Sequence, residues 1–133
     1  TDKSTYSCVN CVIFYDRISS IFRNLKLTES SMQSNVLISL VNDQLWPLAS
    51  MTLAQNANNN PQVIERCCRC LRFVIRCMKP AWLLQPIVTH IVPLYQQFPK
   101  HSSLLYLGSI LVDEFASEQD ANIVNGLIQM LNV

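Results

Sequence analysis

The chain has 133 residues, half of them apolar and 14% charged, with a formal net charge of +1. That length suits one domain or a segment of a larger array, and the apolar fraction is too high for a disordered chain. A net charge so close to zero supplies no molecule-wide field for attracting nucleic acid or an anionic membrane, so any such attraction must come from a local concentration of charge.

Apolar residues recur at the 3.6-residue helical period, with no two-residue alternation, so an all-α chain is expected. A first helix is predicted over about residues 8–25, turning Val12, Ile13, Ile18, Ile21 and Phe22 inward. The polar run 28–35 leads to a second helix over about 36–55, which Pro47 should interrupt by removing a donor and crowding the preceding turn. The asparagine-rich stretch 56–60 is a turn, and Pro61 stands at a first helical position, where a missing N–H costs nothing. The third helix runs over 61–78. After Lys79-Pro80, a fourth covers about 82–98 and carries Pro86 and Pro93. Residues 99–102 form a turn with Ser102 or Ser103 as a candidate N-cap, a fifth helix covers 104–115, and residues 117–120 open a sixth from about 121.

Leu45-Trp46-Pro47-Leu48 returns as Ile91-Val92-Pro93-Leu94, an offset of 46 residues, and Pro61 and Pro99 are 38 apart. Both spacings lie near the period of HEAT-type helix pairs, about 40–47 residues. The expected architecture is an α-solenoid of HEAT-type antiparallel helix pairs, about six helices in all. Residues 1–133 then form one segment of a larger solenoid. Helices within 7–55 and 61–78 lead to and include an arginine-rich helix, 82–117 form the next pair, and 120–133 begin a further helix. The start at Thr1-Asp2-Lys3 and the finish inside the apolar run 127–133 both read as cuts through a longer stack.

The third helix carries the chemistry. Arg66, Arg69, Arg72 and Arg76 lie within eleven residues. At about 100° per residue, with Arg66 at zero, Arg69, Arg72 and Arg76 fall near 300°, 240° and 280°. All four share one arc of about 120°, while Val63, Ile64, Cys67, Cys68, Cys70, Leu71, Val74, Ile75, Cys77 and Met78 fill the opposite one. Only Phe73 strays into the basic stripe. Like charges three and four residues apart repel, and the one acid among them, Glu65, can meet Arg69 at i+4. Planar guanidinium forks match phosphate and carboxylate oxygens, so a multivalent anion would relieve the repulsion. The plainer alternative is a solvated basic face without a ligand.

Other chemistries lack their residues. Cys8/Cys11 and Cys67/Cys70 have zinc-ribbon spacing, but the second pair lies inside an unbroken helical pattern, so core thiols are expected rather than a metal or disulfides. Gly108 and Gly126 belong to no phosphate-cradling loop. His90 reads as a hydrogen-bonded packing residue, and Asp113, Glu114, Glu118 and Asp120 as a solvated helix end. No enzyme, cofactor or metal site is expected. The long uncharged run 80–98 holds three prolines and several polar side chains, a poor bilayer span. No basic lead into an apolar leader is visible, and a soluble protein is expected. Single-strand nucleic-acid binders interleave aromatics with their basic residues, whereas here only Phe73 is near and lysine is missing from the stripe. An acidic or phosphorylated peptide suits a single row of guanidiniums better.

The runs Glu65-Arg66-Cys67-Cys68-Arg69-Cys70-Leu71-Arg72-Phe73, Leu83-Leu84-Gln85-Pro86 and residues 105–114 closely resemble the importin-β (karyopherin-β) superfamily of nuclear import receptors. Within it the likeness is to the transportin branch, which carries serine/arginine-rich splicing factors. The likeness is densest over residues 46–115. It implies a HEAT-repeat solenoid that shuttles between cytoplasm and nucleus and releases cargo to Ran-GTP. It also implies contact with nucleoporins through the full-length receptor. The branch's arginine-rich helix holds phosphorylated Arg-Ser cargo, and Arg66, Arg69, Arg72 and Arg76 occupy that helix here. Membrane insertion and direct nucleic-acid binding are not expected. The alternatives are a basic-helix RNA-binding module and a structural solenoid fragment without activity of its own.

Overall fold

The computed structural model describes residues 3–25, 35–115 and 126–128, and all regular structure among them is helical. Helix α1 spans Lys3–Asn24. Helix α2 is a continuous rod made of Asn35–Ser39, a π-helical turn at Leu40–Leu45, and Trp46–Asn56. Helices α3, α4 and α5 span Pro61–Met78, Ala81–Gln97 and Ser102–Phe115. Helix α3 packs against α1, α2 and α5, and α5 packs against α4. Short turns reverse the chain between α2 and α3 and between α4 and α5, giving two antiparallel pairs. Helices α1, α3 and α5 make one layer with α3 at its centre. Helices α2 and α4 stand behind, joined by an edge-on contact of Trp46 with His90 at 5.7 Å between ring centroids. This is the all-α helix-pair solenoid that the periodicity implies.

The central position of α3 follows from its sequence. Val63, Ile64, Cys67, Cys68, Cys70, Leu71, Val74, Ile75 and Met78 are all buried, and Cys77 is half-buried. Each large aliphatic side chain so covered contributes about 1.5–3 kcal/mol. The helix stops at Lys79, which adopts a left-handed φ of 47° and donates its N–H to the Ile75 carbonyl at 2.9 Å; Pro80 then prevents further winding.

Pro47 does not interrupt α2. The preceding turn widens instead, and the Trp46 N–H reaches the Val41 carbonyl, five residues back. A π-turn makes room for the proline ring that an ordinary turn would crowd. Pro86 and Pro93 lie within α4, where the winding stays α-helical. Pro47 and Pro93 are therefore equivalent in layer and both exposed, but the backbone answers them differently.

Helix α1 departs from expectation in its buried face. Tyr15, Ser19 and Phe22 are buried, Val12 and Ile18 are half-buried, and Ile13 and Ile21 are exposed. The inner face is fixed by polar pairing as well as by apolarity. The Tyr15 hydroxyl meets the Thr52 hydroxyl at 2.7 Å, and Ser19 donates to the Tyr15 carbonyl at 2.7 Å. His90 departs from the expected hydrogen-bonded packing role, since its Nε2 is buried without a hydrogen-bond partner among the described residues. His101 lies in the turn before α5 as expected, yet it is buried with Nε2 against the Ala57 carbonyl. Lys100 Nζ also reaches the Asn58 carbonyl at 3.0 Å. The turns after α2 and α4 are thus stapled along one edge of the stack. The sixth helix expected from about 121 lies outside the described residues except for 126–128. There a Cβ on Gly126 would stand 3.0 Å from Val88 Cγ1, so the backbone approaches α4 closely.

Among the described residues no helix is long and apolar enough to cross a membrane, and no group of three or more His, Cys, Asp or Glu side chains could hold a metal ion. Cys67, Cys68 and Cys70 are free thiols in the core. Burial pushes Cys68 and Cys70 up to about 12, and Cys67 is also raised well above the usual thiol range, mainly by burial. Thiols held this firmly protonated are inert at neutral pH.

Candidate functional site

Helix α3 turns its arginine stripe away from the core, along a strip flanked by α1 and α5. The angular order of the four residues explains how each is held. Arg66, at the edge facing α1, has its Nε 3.7 Å from Asp16 Oδ1 and 3.3 Å from Glu65 Oε2. Arg69 Nη1 lies 3.9 Å from the same Asp16 oxygen, and its guanidinium stands 5.6 Å from the centre of the Phe73 ring. Arg72, at the opposite edge, crosses to α5 and stacks over Tyr106 at 4.4 Å. Arg76, at mid-arc, is exposed and makes no ion pair among the described residues. The row therefore runs diagonally across α3 from the α1 side to the α5 side.

The row is neither scattered nor sealed. The Arg66 and Arg69 side chains are 31% and 32% exposed, Arg72 is half-buried, and Arg76 is open. Phe73, the stray aromatic of the stripe, packs beneath Arg69 and restricts its guanidinium. Cation–π contacts of this kind contribute about 0.5–1 kcal/mol at exposed positions.

Glu65 pairs with the adjacent Arg66 rather than with Arg69 at i+4. The i+4 partner loses because Asp16, from α1, reaches Arg69 across the interhelical groove. No periodicity within α3 could reveal that acid. Tyr106 was equally invisible as a site residue, because its role depends on α5 lying beside α3. Arg23 was also missed, although a basic residue in the last turn of α1 was legible. With Asp16, Ser19, Ser20, Arg69 and Phe73 it lines a polar cleft of about 230 Å³ beside the row. Farther along, Lys79 Nζ meets Glu114 Oε2 at 3.7 Å, and among the described residues Arg72 and Arg76 are the α3 arginines without an ion pair.

A stacked array of antiparallel helix pairs defines a segment of an α-solenoid. The comparison with known families agrees. The family described as the Transportin-3/Importin-13 fourth TPR domain matches residues 37–133. The match covers most of the chain, and the chain belongs to this family of importin-β-type nuclear transport receptors. The description uses TPR for its helix pairs; TPR and HEAT arrays share the stacked antiparallel pairs described above. The family comprises transport receptors, not enzymes.

Proposed function

We propose that the row formed by Arg66, Arg69, Arg72 and Arg76 holds phosphorylated Arg-Ser-rich cargo, such as serine/arginine-rich splicing factors, for nuclear import. The observation that carries this reading is the clustering of four arginines on one strip of α3, where among the described residues Arg76 has no ion pair and Arg72 is held by a tyrosine ring. An extended phosphopeptide offers anions at intervals and can span such a row, whereas a single small anion would engage only part of it. Exposed ion pairs contribute about 0.2–1 kcal/mol each, so useful affinity requires several at once. In this reading the full-length receptor meets Ran-GTP and nucleoporins through other repeats and shuttles between cytoplasm and nucleus.

The competing RNA reading is weakened by what the aromatics do. Phe73 and Tyr106 each already carry an arginine, so neither offers a free stacking platform for bases. The test is the Arg69→Glu/Arg72→Glu double variant, assayed by fluorescence anisotropy with a phosphorylated Arg-Ser peptide and with homopolymeric RNA as competitor. Each reversal replaces an attraction by a repulsion, so a loss of roughly 30-fold or more is expected with helicity retained. Wild-type-like peptide binding by the double variant, or displacement of the peptide by RNA at lower concentration than by unlabelled peptide, removes the proposal.

A further inference from the structure

We infer that the cleft between α1 and α3 is a discrete subsite for one phosphate monoester, with Asp16 standing in it as a built-in competitor. The inference rests on the cargo reading above and names a further contact within it. The lining of the cleft is Asp16, Ser19, Ser20, Arg23, Arg69 and Phe73. Arg23 and Arg69, from different helices, both line it, and Arg23 makes no ion pair among the described residues. Ser19 donates to the Tyr15 carbonyl, so its proton is committed to the helix. Ser20 is exposed.

The geometry of Asp16 is what marks the site. Its Oδ1 is enclosed and has no hydrogen-bond partner among the described residues, and the same is true of Arg66 Nε. The two atoms are 3.7 Å apart, and Arg69 Nη1 is 3.9 Å from the same oxygen. These are ion-pair separations, too long for hydrogen bonds. An enclosed carboxylate oxygen normally finds a donor, because leaving it without one is costly. Here one acid is spread between two guanidiniums and satisfies neither. A phosphate monoester brings close to two charges and three acceptor oxygens, enough to bond Arg69 and Arg23 together while Asp16 withdraws toward solvent. Phe73 restricts the Arg69 guanidinium from below, so little ordering is lost on binding.

This arrangement separates phosphoserine from carboxylate-bearing peptides. A carboxylate carries no more charge than Asp16 and gains little by replacing it. A phosphate does gain, so the internal acid acts as a threshold that favours phosphorylated cargo.

The experiment titrates the whole chain and its variants with N-acetyl-O-phosphoserine amide, followed by phosphorus NMR, with inorganic phosphate and N-acetyl-aspartate amide as comparison probes. Asp16→Asn should tighten the phosphoserine probe roughly three- to tenfold and reduce its preference over the aspartate probe. Arg23→Gln should weaken it by a similar factor, and Arg17→Gln, on the same helix but outside the cleft, should leave it unchanged. Unchanged or weaker binding by a folded Asp16→Asn chain overturns the inference, as does an Arg23→Gln chain that matches Arg17→Gln. Should Asp16→Asn lose helicity, the Arg23/Arg17 comparison decides alone, since both side chains are exposed. Inorganic phosphate binding as tightly as the ester would mean a free-phosphate site and would also overturn it. If the wild-type chain fails to bind the Arg-Ser phosphopeptide, the cargo reading falls, while the single-phosphate titration still decides the subsite.

Discussion

Raising the pH above about 9 should destabilise the chain steeply, because the core is built on thiols that cannot ionise where they stand. Cys68 and Cys70 are held at about 12 by burial, against an ordinary value of 9.0. Below pH 9 both states keep these protons and stability does not depend on pH through them. Above it the unfolded chain releases them and the folded chain does not, so the unfolded state binds fewer protons and the stability falls as pH rises. Each such thiol removes about 1.4 kcal/mol per pH unit until the folded value is reached. Cys68 and Cys70 together remove about 3 kcal/mol per unit, which consumes a typical domain stability of about 5–15 kcal/mol within a few units. Cys67 and Tyr15, both raised chiefly by burial, act in the same direction.

Urea unfolding followed by circular dichroism at pH values of roughly 8, 9.5 and 10.5 reads this slope directly. Cys68→Ala supplies the control. It should cost about 1–2 kcal/mol at pH 8 for the lost sulfur contacts, yet flatten the alkaline slope by about 1.4 kcal/mol per unit. Stability that stays level up to about pH 10.5, or a Cys68→Ala chain with the wild-type slope, would refute the assignment of these cysteines as buried, neutral packing residues.

Two further substitutions probe the joints between helices. Tyr106→Ala should weaken phosphopeptide binding two- to fivefold by releasing Arg72, with Tyr106→Phe close to wild type, since the contact at 4.4 Å is with the ring; loss in Phe equal to that in Ala would contradict a ring-held arginine. At the contact of α1 with α2, Thr52→Val should cost about 1–3 kcal/mol by leaving the buried Tyr15 hydroxyl without its Thr52 partner. Tyr15→Phe should cost only about 0.5–1.5 kcal/mol, because Thr52 still donates to the Leu48 carbonyl; chemical denaturation showing the reverse order would contradict this account.

What could be read from the sequence divides along the reach of each interaction. The helices and the two faces of α3 were legible because 3.6-residue periodicity is written into neighbouring residues, and Pro61 and Lys79-Pro80 mark the ends of α3 locally. The angular order of Arg66, Arg69, Arg72 and Arg76 was legible too, but which helix stands at each edge of the row was not. The rest depends on contacts between helices. Asp16 is an ordinary acid in α1 until α3 lies beside it, and Tyr106 is an ordinary surface aromatic until α5 does. Ile13 and Ile21 were assigned inward on hydrophobicity, but the Tyr15–Thr52 and Ser19 bonds turn a different face of α1 to the core. His90 and His101 show the same limit. A bonded His90 was expected from its apolar helix and the burial of His101 was not, because the carbonyl that His101 meets is 44 residues away. Pro47 failed to break α2 for a local reason that hydrophobic pattern does not encode, the widened turn ahead of it.

The central claim is that the arginine row of α3 is the surface an extended phosphopeptide occupies. Side-chain NMR of the arginine Nε–H groups, recorded while a phosphorylated Arg-Ser peptide is titrated into the chain, examines it residue by residue. Saturable shifts sharing one binding constant are expected at Arg66, Arg69, Arg72 and Arg76, with Arg17 unmoved. Silence at Arg72 and Arg76, or shifts at Arg17 as large as theirs, would contradict it.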